Sequence, residues 1–138
     1  EMVPLMTEEV DVVAASPYHP QGKVDNIPLW RLWLSQRVSN IYRLLFRTKL
    51  HCYTGCFRVY RRSCVIDHEP QNRGYVGVAE LLWRVDHTGG TIVEHPAILR
   101  KRMAGSSKMR IFREGAKHLR LMAFILRRKF RNETENSQ

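Results

Sequence analysis

The sequence predicts an α/β fold. Two short β-branched runs, residues 10–15 and 91–99, are separated by two segments with apolar residues at helical spacing, and Gly, Pro and Asn punctuate the joints between them. Alternation of this kind places helices against a sheet. Residues 10–15 (VDVVAA) form the first strand, a buried one, because nothing polar interrupts its core after Asp11. Residues 16–26 carry Pro17, Pro20, Gly22 and Asn26, which is loop chemistry. Pro28 then opens a helix where its missing N–H is harmless. Trp30, Trp33, Leu34, Ile41 and Leu45 recur at helical spacing to about Phe46 and mark its expected inner face.

Residues 52–61 alternate and are rich in aromatic and branched side chains, so a strand is expected there. Residues 63–74 are a polar connection. Residues 75–87 form a helix with Val78, Leu81 and Leu82 inward, stopped by Gly89-Gly90. Residues 91–99 are the next strand and 101–107 a loop. From Ser107 to about Phe130 the chain reads as a long amphipathic helix. Its expected core stripe is Phe112, Ala116, Leu119, Met122, Leu126 and Phe130, with arginines on much of the remainder. Residues 132–138 are a polar tail after a single domain spanning 1–131.

Formal net charge is +10, and its distribution is uneven. Residues 97–138 hold 12 Lys/Arg against 3 Asp/Glu. A one-sided basic field of this kind suits a polyanion: nucleic acid, a phosphorylated small molecule or an anionic membrane face. No run approaches the ~18 apolar residues of a membrane span. No secretory signal precedes the first strand. The three cysteines, Cys52, Cys56 and Cys64, are odd in number and include no C-x-x-C pair. They are expected to be reduced, small, buried side chains, and no metal site is expected here.

Three stretches carry candidate chemistry. In residues 53–60 (YTGCFRVY), Arg58 sits among aromatics after small residues, an arrangement that could hold a planar cation against a ligand or stack it for structure alone. Gly74-Tyr75 precedes Glu80, a carboxylate that either enters a cleft to touch a sugar hydroxyl or basic group, or caps a neighbouring element. Pro96, Arg102, Gly105, Ser107 and Lys108 lead into the last helix, whose first N–H groups favour phosphate.

In this order, these stretches resemble the second half of the family two glycosyltransferases, closest to the dolichyl-phosphate (polyprenyl-phosphate) mannosyltransferases. The family's D-V-V-x-G-S-R-Y is matched by Asp11-Val12-Val13 through Tyr18, and its P-L-W-R by Pro28-Leu29-Trp30-Arg31. Its D-x-T-S-G-F-R-x-Y falls on residues 52–60, its G-Y-x-F-x-x-E on Gly74-Tyr75 and Glu80. Its V-P-x-x-F-x-x-R-x-x-G-x-S-K falls on Pro96, Arg102, Gly105, Ser107 and Lys108. Departures are Pro17 for Arg, Cys52 for Asp, Cys56 for Gly, Gly77 for an aromatic, and Gln36 for an Arg.

The resemblance implies the C-terminal part of a GT-A fold, an incomplete mixed sheet with flanking helices. It implies an inverting hexosyltransferase taking a sugar from a nucleotide-sugar, with a polyprenyl-phosphate as acceptor. Nucleotide and Mg²⁺ or Mn²⁺ are expected on an N-terminal half that this chain lacks, so the segment alone is expected to be inactive. Glu80 is the expected catalytic or acceptor-orienting group. Arg31, Arg58, Arg102, Gly105, Ser107 and Lys108 are the expected substrate and phosphate contacts. The basic last helix is expected to rest on an anionic membrane surface, placing the protein peripherally on the cytoplasmic face. Two rival readings are a basic nucleic-acid-binding module and a non-catalytic membrane-surface scaffold. Against the first, the aromatics form no base-stacking array.

Overall fold

The computed structural model describes residues 2–100 and 111–135. After a short 3₁₀ turn at Val3–Leu5 come β1 (Val12–Ser16), β2 (Lys23–Asp25), α1 (Leu29–Leu45), β3 (Arg58–Tyr60), α2 (Arg62–Asp67), α3 (Tyr75–His87), β4 (Ile92–Pro96), β5 (Ile98–Arg100) and α4 (Ile111–Glu135). The architecture is mixed α/β. Three strands form a sheet in the order β3-β1-β4, with β1 antiparallel to β3 and parallel to β4. β2 and β5 pair parallel in a second, two-stranded sheet.

β1 is buried along its whole length, as its unbroken apolar run requires. Its pleat sends alternate residues to opposite faces. Val12 and Ile92 join Tyr42, Leu82 and Ile125 in the main core beneath α1, α3 and α4. Val13 and Ala15 pack on the other face with Met2, Val10 and Val93.

Several expectations need correction. The loop after β1 contains β2, which pairs with the far half of the strand expected over residues 91–99. That strand breaks at Ala97. Ala97 N–H reaches Ser16 O (3.1 Å), while Ala97 O accepts from Lys23 N–H (3.0 Å), so the chain changes sheets there. The polar connection holds a short helix, α2. Only residues 58–60 of the strand expected over 52–61 pair with β1, because the preceding N–H groups go to side chains instead.

The helix faces differ most. In α1, Trp30, Trp33 and Ile41 are exposed, and Ser39 and Tyr42 are the buried residues. In α3, Leu82 is inward as expected, but Val78 and Leu81 are half-buried and Val76, Ala79, Trp83 and Val85 complete the inner face. In α4, Phe112 is 96% exposed and Leu119 63%, while His118, Leu121, Met122 and Ile125 are buried. Met122 alone of the expected stripe is inward. The reason lies in the periodicity: α4 carries two apolar faces, and the one that packs includes a histidine. His118 Nδ1 lies 2.7 Å from the Tyr42 hydroxyl of α1, so its buried nitrogen has a partner. Cys56 is exposed rather than buried, and Cys64 is half-buried.

Candidate active-site crevice

The site is built from a loop that secondary structure does not hold. Residues 46–57 run from α1 to β3, and side chains from four elements fix them. Asp86 of α3 accepts Arg47 N–H (2.7 Å) and Thr48 N–H (2.9 Å). Ser39 of α1 accepts Tyr53 N–H (3.2 Å). The Tyr53 hydroxyl donates to Thr48 O (2.8 Å) and accepts from Leu50 N–H (2.9 Å), and burial pushes it up to about 12. On β1, Ala14 is flanked in register by Arg58 and Glu94. Being small, Ala14 lets both neighbours fold over it. Arg58 donates to Tyr53 O (2.6 Å) and Val78 O (2.7 Å). Glu94 accepts His51 N–H (2.8 Å) and Cys52 N–H (3.1 Å).

This loop, the turn after β1 and α1 enclose a crevice of about 360 Å³ lined by Tyr18, Ser35, Cys52, Thr54, Cys56 and Leu99 among others. It opens at the carboxyl end of the parallel β1–β4 pair, where open α/β sheets bind ligands. A second cavity of about 220 Å³ lies between α1, α3 and α4, with Arg31, Leu34, Val38, Tyr75, Glu114 and His118 in its wall. Ser35 and Thr54 belong to both. Their hydroxyls are 2.8 Å apart and form the partition. Burial raises the Tyr18 phenol above the usual range, and the Ser35 hydroxyl beside it opposes the rise. Burial likewise raises the Cys52 thiol, partly offset by the Gly55 and Thr54 N–H groups, so it is held as a neutral thiol rather than a thiolate.

The three described candidates are not brought together. Arg31 lines the second cavity and lies over the Trp30 ring at 5.8 Å. Arg58 is committed to backbone carbonyls and the Tyr60 hydroxyl, the structural alternative for that residue. Glu80, 2% exposed, stands outside the crevice. Its carboxylate accepts Gln71 N–H (3.1 Å), Asn72 N–H (2.8 Å) and Asn72 Nδ2 (2.8 Å), and pairs with Arg84 (2.7 Å). Burial alone would raise its pKa, but these donors together hold it below the ordinary carboxylate value. Glu80 therefore fixes the 71–72 turn on α3. Gly77, one turn earlier, belongs to the same arrangement: a Cβ there would meet Asn72 O at 2.2 Å, so the family's aromatic does not fit. Arg102, Gly105, Ser107 and Lys108 lie outside the described residues.

The sequence motifs include Tyr18 and Thr54 but do not mark them, with Ser35, as a hydroxyl cluster. The signal was present, since each falls within or beside a recognised motif, but their convergence depends on loop closure.

A mixed α/β sheet with this crevice, carrying these motifs in this order, defines the class: a protein similar to the polyprenyl-phosphate sugar transferases. Comparison gives the particular relative. Polyprenol monophosphomannose synthase of Mycolicibacterium smegmatis (strain ATCC 700084 / mc(2)155) is 35% identical over 102 residues, 72% of this chain and 38% of the relative. The similarity implied by the motifs, to a polyprenyl-phosphate mannosyltransferase of family two, is thus shown. The matched stretch spans little more than a third of that relative's length. No family model matches the chain.

Proposed function

We propose that this chain is the acceptor-side part of a GT-A glycosyltransferase that moves a sugar from a nucleotide-sugar to a polyprenyl phosphate with inversion. The observation that supports this reading is the pair of cavities meeting at Ser35 and Thr54. Both are lined mostly by apolar groups and share these two hydroxyls; the crevice at the sheet end adds the Tyr18 hydroxyl, and the other cavity adds the Arg31 guanidinium. A phosphoryl head held at the wall that Arg31, Ser35 and Thr54 share, with apolar lining on either side for the chain, suits such an acceptor.

A phosphate acceptor needs no strong general base. Its second pKa is near ~6, so at neutral pH it is already the nucleophile. The protein then positions and neutralises it. Arg31 supplies charge, and the hydroxyls of Tyr18, Ser35 and Thr54 supply orientation. Arg102, Gly105, Ser107 and Lys108 would add phosphate contacts at the entrance to α4. Glu80 and Arg58 act on the site through the turns they hold, so they are positioning residues here. The divalent cation, Mg²⁺ or Mn²⁺, would neutralise the leaving diphosphate. Its ligands are proposed to lie on the nucleotide-binding part of such a fold; among the described residues no group of three His, Cys, Asp or Glu could hold it.

No described helix is long and apolar enough to cross a membrane. The outer face of α4 instead joins Phe112, Leu119, Leu126 and Phe130 to Arg113, Arg120, Arg127 and Arg131, all exposed. That pattern suits an anionic leaflet, each basic group near the surface being worth about 1 kcal/mol. The proposed location is the cytoplasmic face.

The test uses the chain joined to its natural upstream sequence, assayed for sugar transfer to a prenyl phosphate. Arg31→Ala and Lys108→Ala should each lower turnover by ~10²-fold, the usual loss for one preorganised charge contact. Unchanged rates in both would remove this acceptor assignment.

A further inference from the structure

Next to the crevice lies a group of side chains that the transfer reaction does not use. Glu94, whose side chain is 8% exposed, receives His51 Nδ1 at 2.7 Å, and His51 itself is 35% exposed. His19, on the turn that follows β1, meets His51 edge to face, with ring centroids 5.5 Å apart and planes at 73°. His19 and His51 directly follow Tyr18 and precede Cys52 respectively, and both of those neighbours line the crevice.

The hydrogen bonds fix the chemistry of the two rings. Gln21 N–H donates to His19 Nδ1 (3.2 Å), so the proton of neutral His19 is on Nε2, a donor. His51 gives its Nδ1 proton to Glu94, so its Nε2 accepts when the ring is neutral and donates when it is protonated. A carboxylate behind an imidazole is also the usual support of a metal ligand. Here metal binding is opposed, because it needs lone pairs on both Nε2 atoms and that of His19 carries a proton. An anion has the opposite need. One proton added to His51 turns the pair into two N–H donors, with its charge balanced by Glu94; a second proton, on His19 at the cost of its Gln21 bond, makes the cluster net positive.

We infer that His19 and His51, supported by Glu94, form a proton-dependent phosphoryl-binding site at the rim of the crevice. The inference rests on the reading of that crevice as a phosphoryl-handling site. Among the described residues, Glu94 of β4 is the charged group bonded to the pair, and Tyr18 and Cys52 are the titratable residues next to the two rings along the chain. Asp86 of α3 is already taken by Arg47 and Thr48 N–H. No arginine or lysine is hydrogen-bonded to either ring among the described residues, so the imidazoles themselves must supply the charge.

The probe is sulfate, a tetrahedral dianion at both pH values whereas inorganic phosphate titrates between them, added to this chain while the imidazole nitrogens are followed by long-range ¹H–¹⁵N NMR at about pH 6 and pH 8. Binding should tighten roughly tenfold at the lower pH, and both Nε2 resonances should move. His51→Gln should abolish the pH dependence, and His19→Gln should weaken binding at both pH values. His19→Gln leaves the Glu94 contacts untouched, so it remains informative if His51→Gln loosens the loop. Sulfate that leaves both resonances unmoved, or pH-dependent binding that survives in His51→Gln, overturns the site. Transfer activity of the chain joined to its upstream sequence reports separately. Moving resonances without any sugar transfer would uphold this site and sink the transferase reading. Transfer with silent imidazoles would do the reverse.

Discussion

Removing the Glu80 carboxylate isolates its structural role. In Glu80→Ala, the N–H groups of Gln71 and Asn72 lose their acceptor, and Arg84 loses its ion-pair partner at 2.7 Å. Breaking a buried pair costs ~3–5 kcal/mol when the remaining charge stays buried. The Arg84 side chain is 24% exposed and can rehydrate, which places the cost at the low end, about 3 kcal/mol. For a chain of this size that is roughly 10 °C in thermal midpoint. Glu80→Gln keeps one acceptor and should lose about half as much. The acid dependence has a definite sign. Glu80 has a lowered folded pKa, so its contribution is complete above its ordinary value of 4.5 and is lost as pH falls through the folded value. Urea unfolding of wild type and both variants at pH ~7 and again near pH ~3.5 measures this, and the gap between wild type and Glu80→Ala should shrink in acid. Equal midpoints at neutral pH would show that the 71–72 turn does not depend on Glu80, and would return the residue to the list of groups kept for chemistry.

Two further outcomes test the packing of α4. Tyr42→Phe leaves His118 Nδ1 buried without its partner and should cost about 1–2 kcal/mol by denaturant titration. Burial lowers the His118 pKa, so the folded state binds fewer protons and stability should fall as pH drops below ~6.5; a His118→Gln variant with an unchanged slope there would refute the assignment. Leu121→Ala, in the core, should cost about 2–4 kcal/mol, whereas Leu119→Glu on the outer face should leave the midpoint within ~0.5 kcal/mol and abolish flotation with anionic vesicles. Reversal of the two effects would restore the stripe first read from the sequence.

The elements that were legible are those specified locally. The bounds of α3 follow from Tyr75 after a glycine and from the Gly89-Gly90 stop, and the structure places it at Tyr75–His87. β1 is a continuous apolar run and is buried throughout. Helix orientation was not legible. Residues 112, 116, 119, 123, 126 and 130 of α4 align on one side, and 118, 121, 122 and 125 on another. Periodicity alone cannot say which side meets α1, since the choice depends on a partner, Tyr42, 76 residues away from His118. The loop before β3 failed for the same reason. Its aromatic alternation imitates a strand, but its N–H groups are taken by Ser39 and Glu94, and no local signal announces acceptors so distant in sequence.

The same distances bear on what the site can do. Arg58 was expected to contact phosphate and Glu80 to orient the acceptor, yet both bond to backbone groups of nearby segments. Arg58 and Glu94 pull residues 51–53 from the two strands beside Ala14, and Asp86 anchors the loop's start from α3. A crevice wall held by buried side chains from three elements is preorganised, and preorganised dipoles need not reorient as charge moves during reaction. The departures from the family motif then have a physical location. Cys52 and Cys56 place neutral, polarizable thiols where the family has Asp and Gly, while the N–H of Cys52 still binds Glu94. The framework of the loop is therefore independent of the side chain at position 52. A change there alters the crevice lining while the backbone contact to Glu94 stays in place.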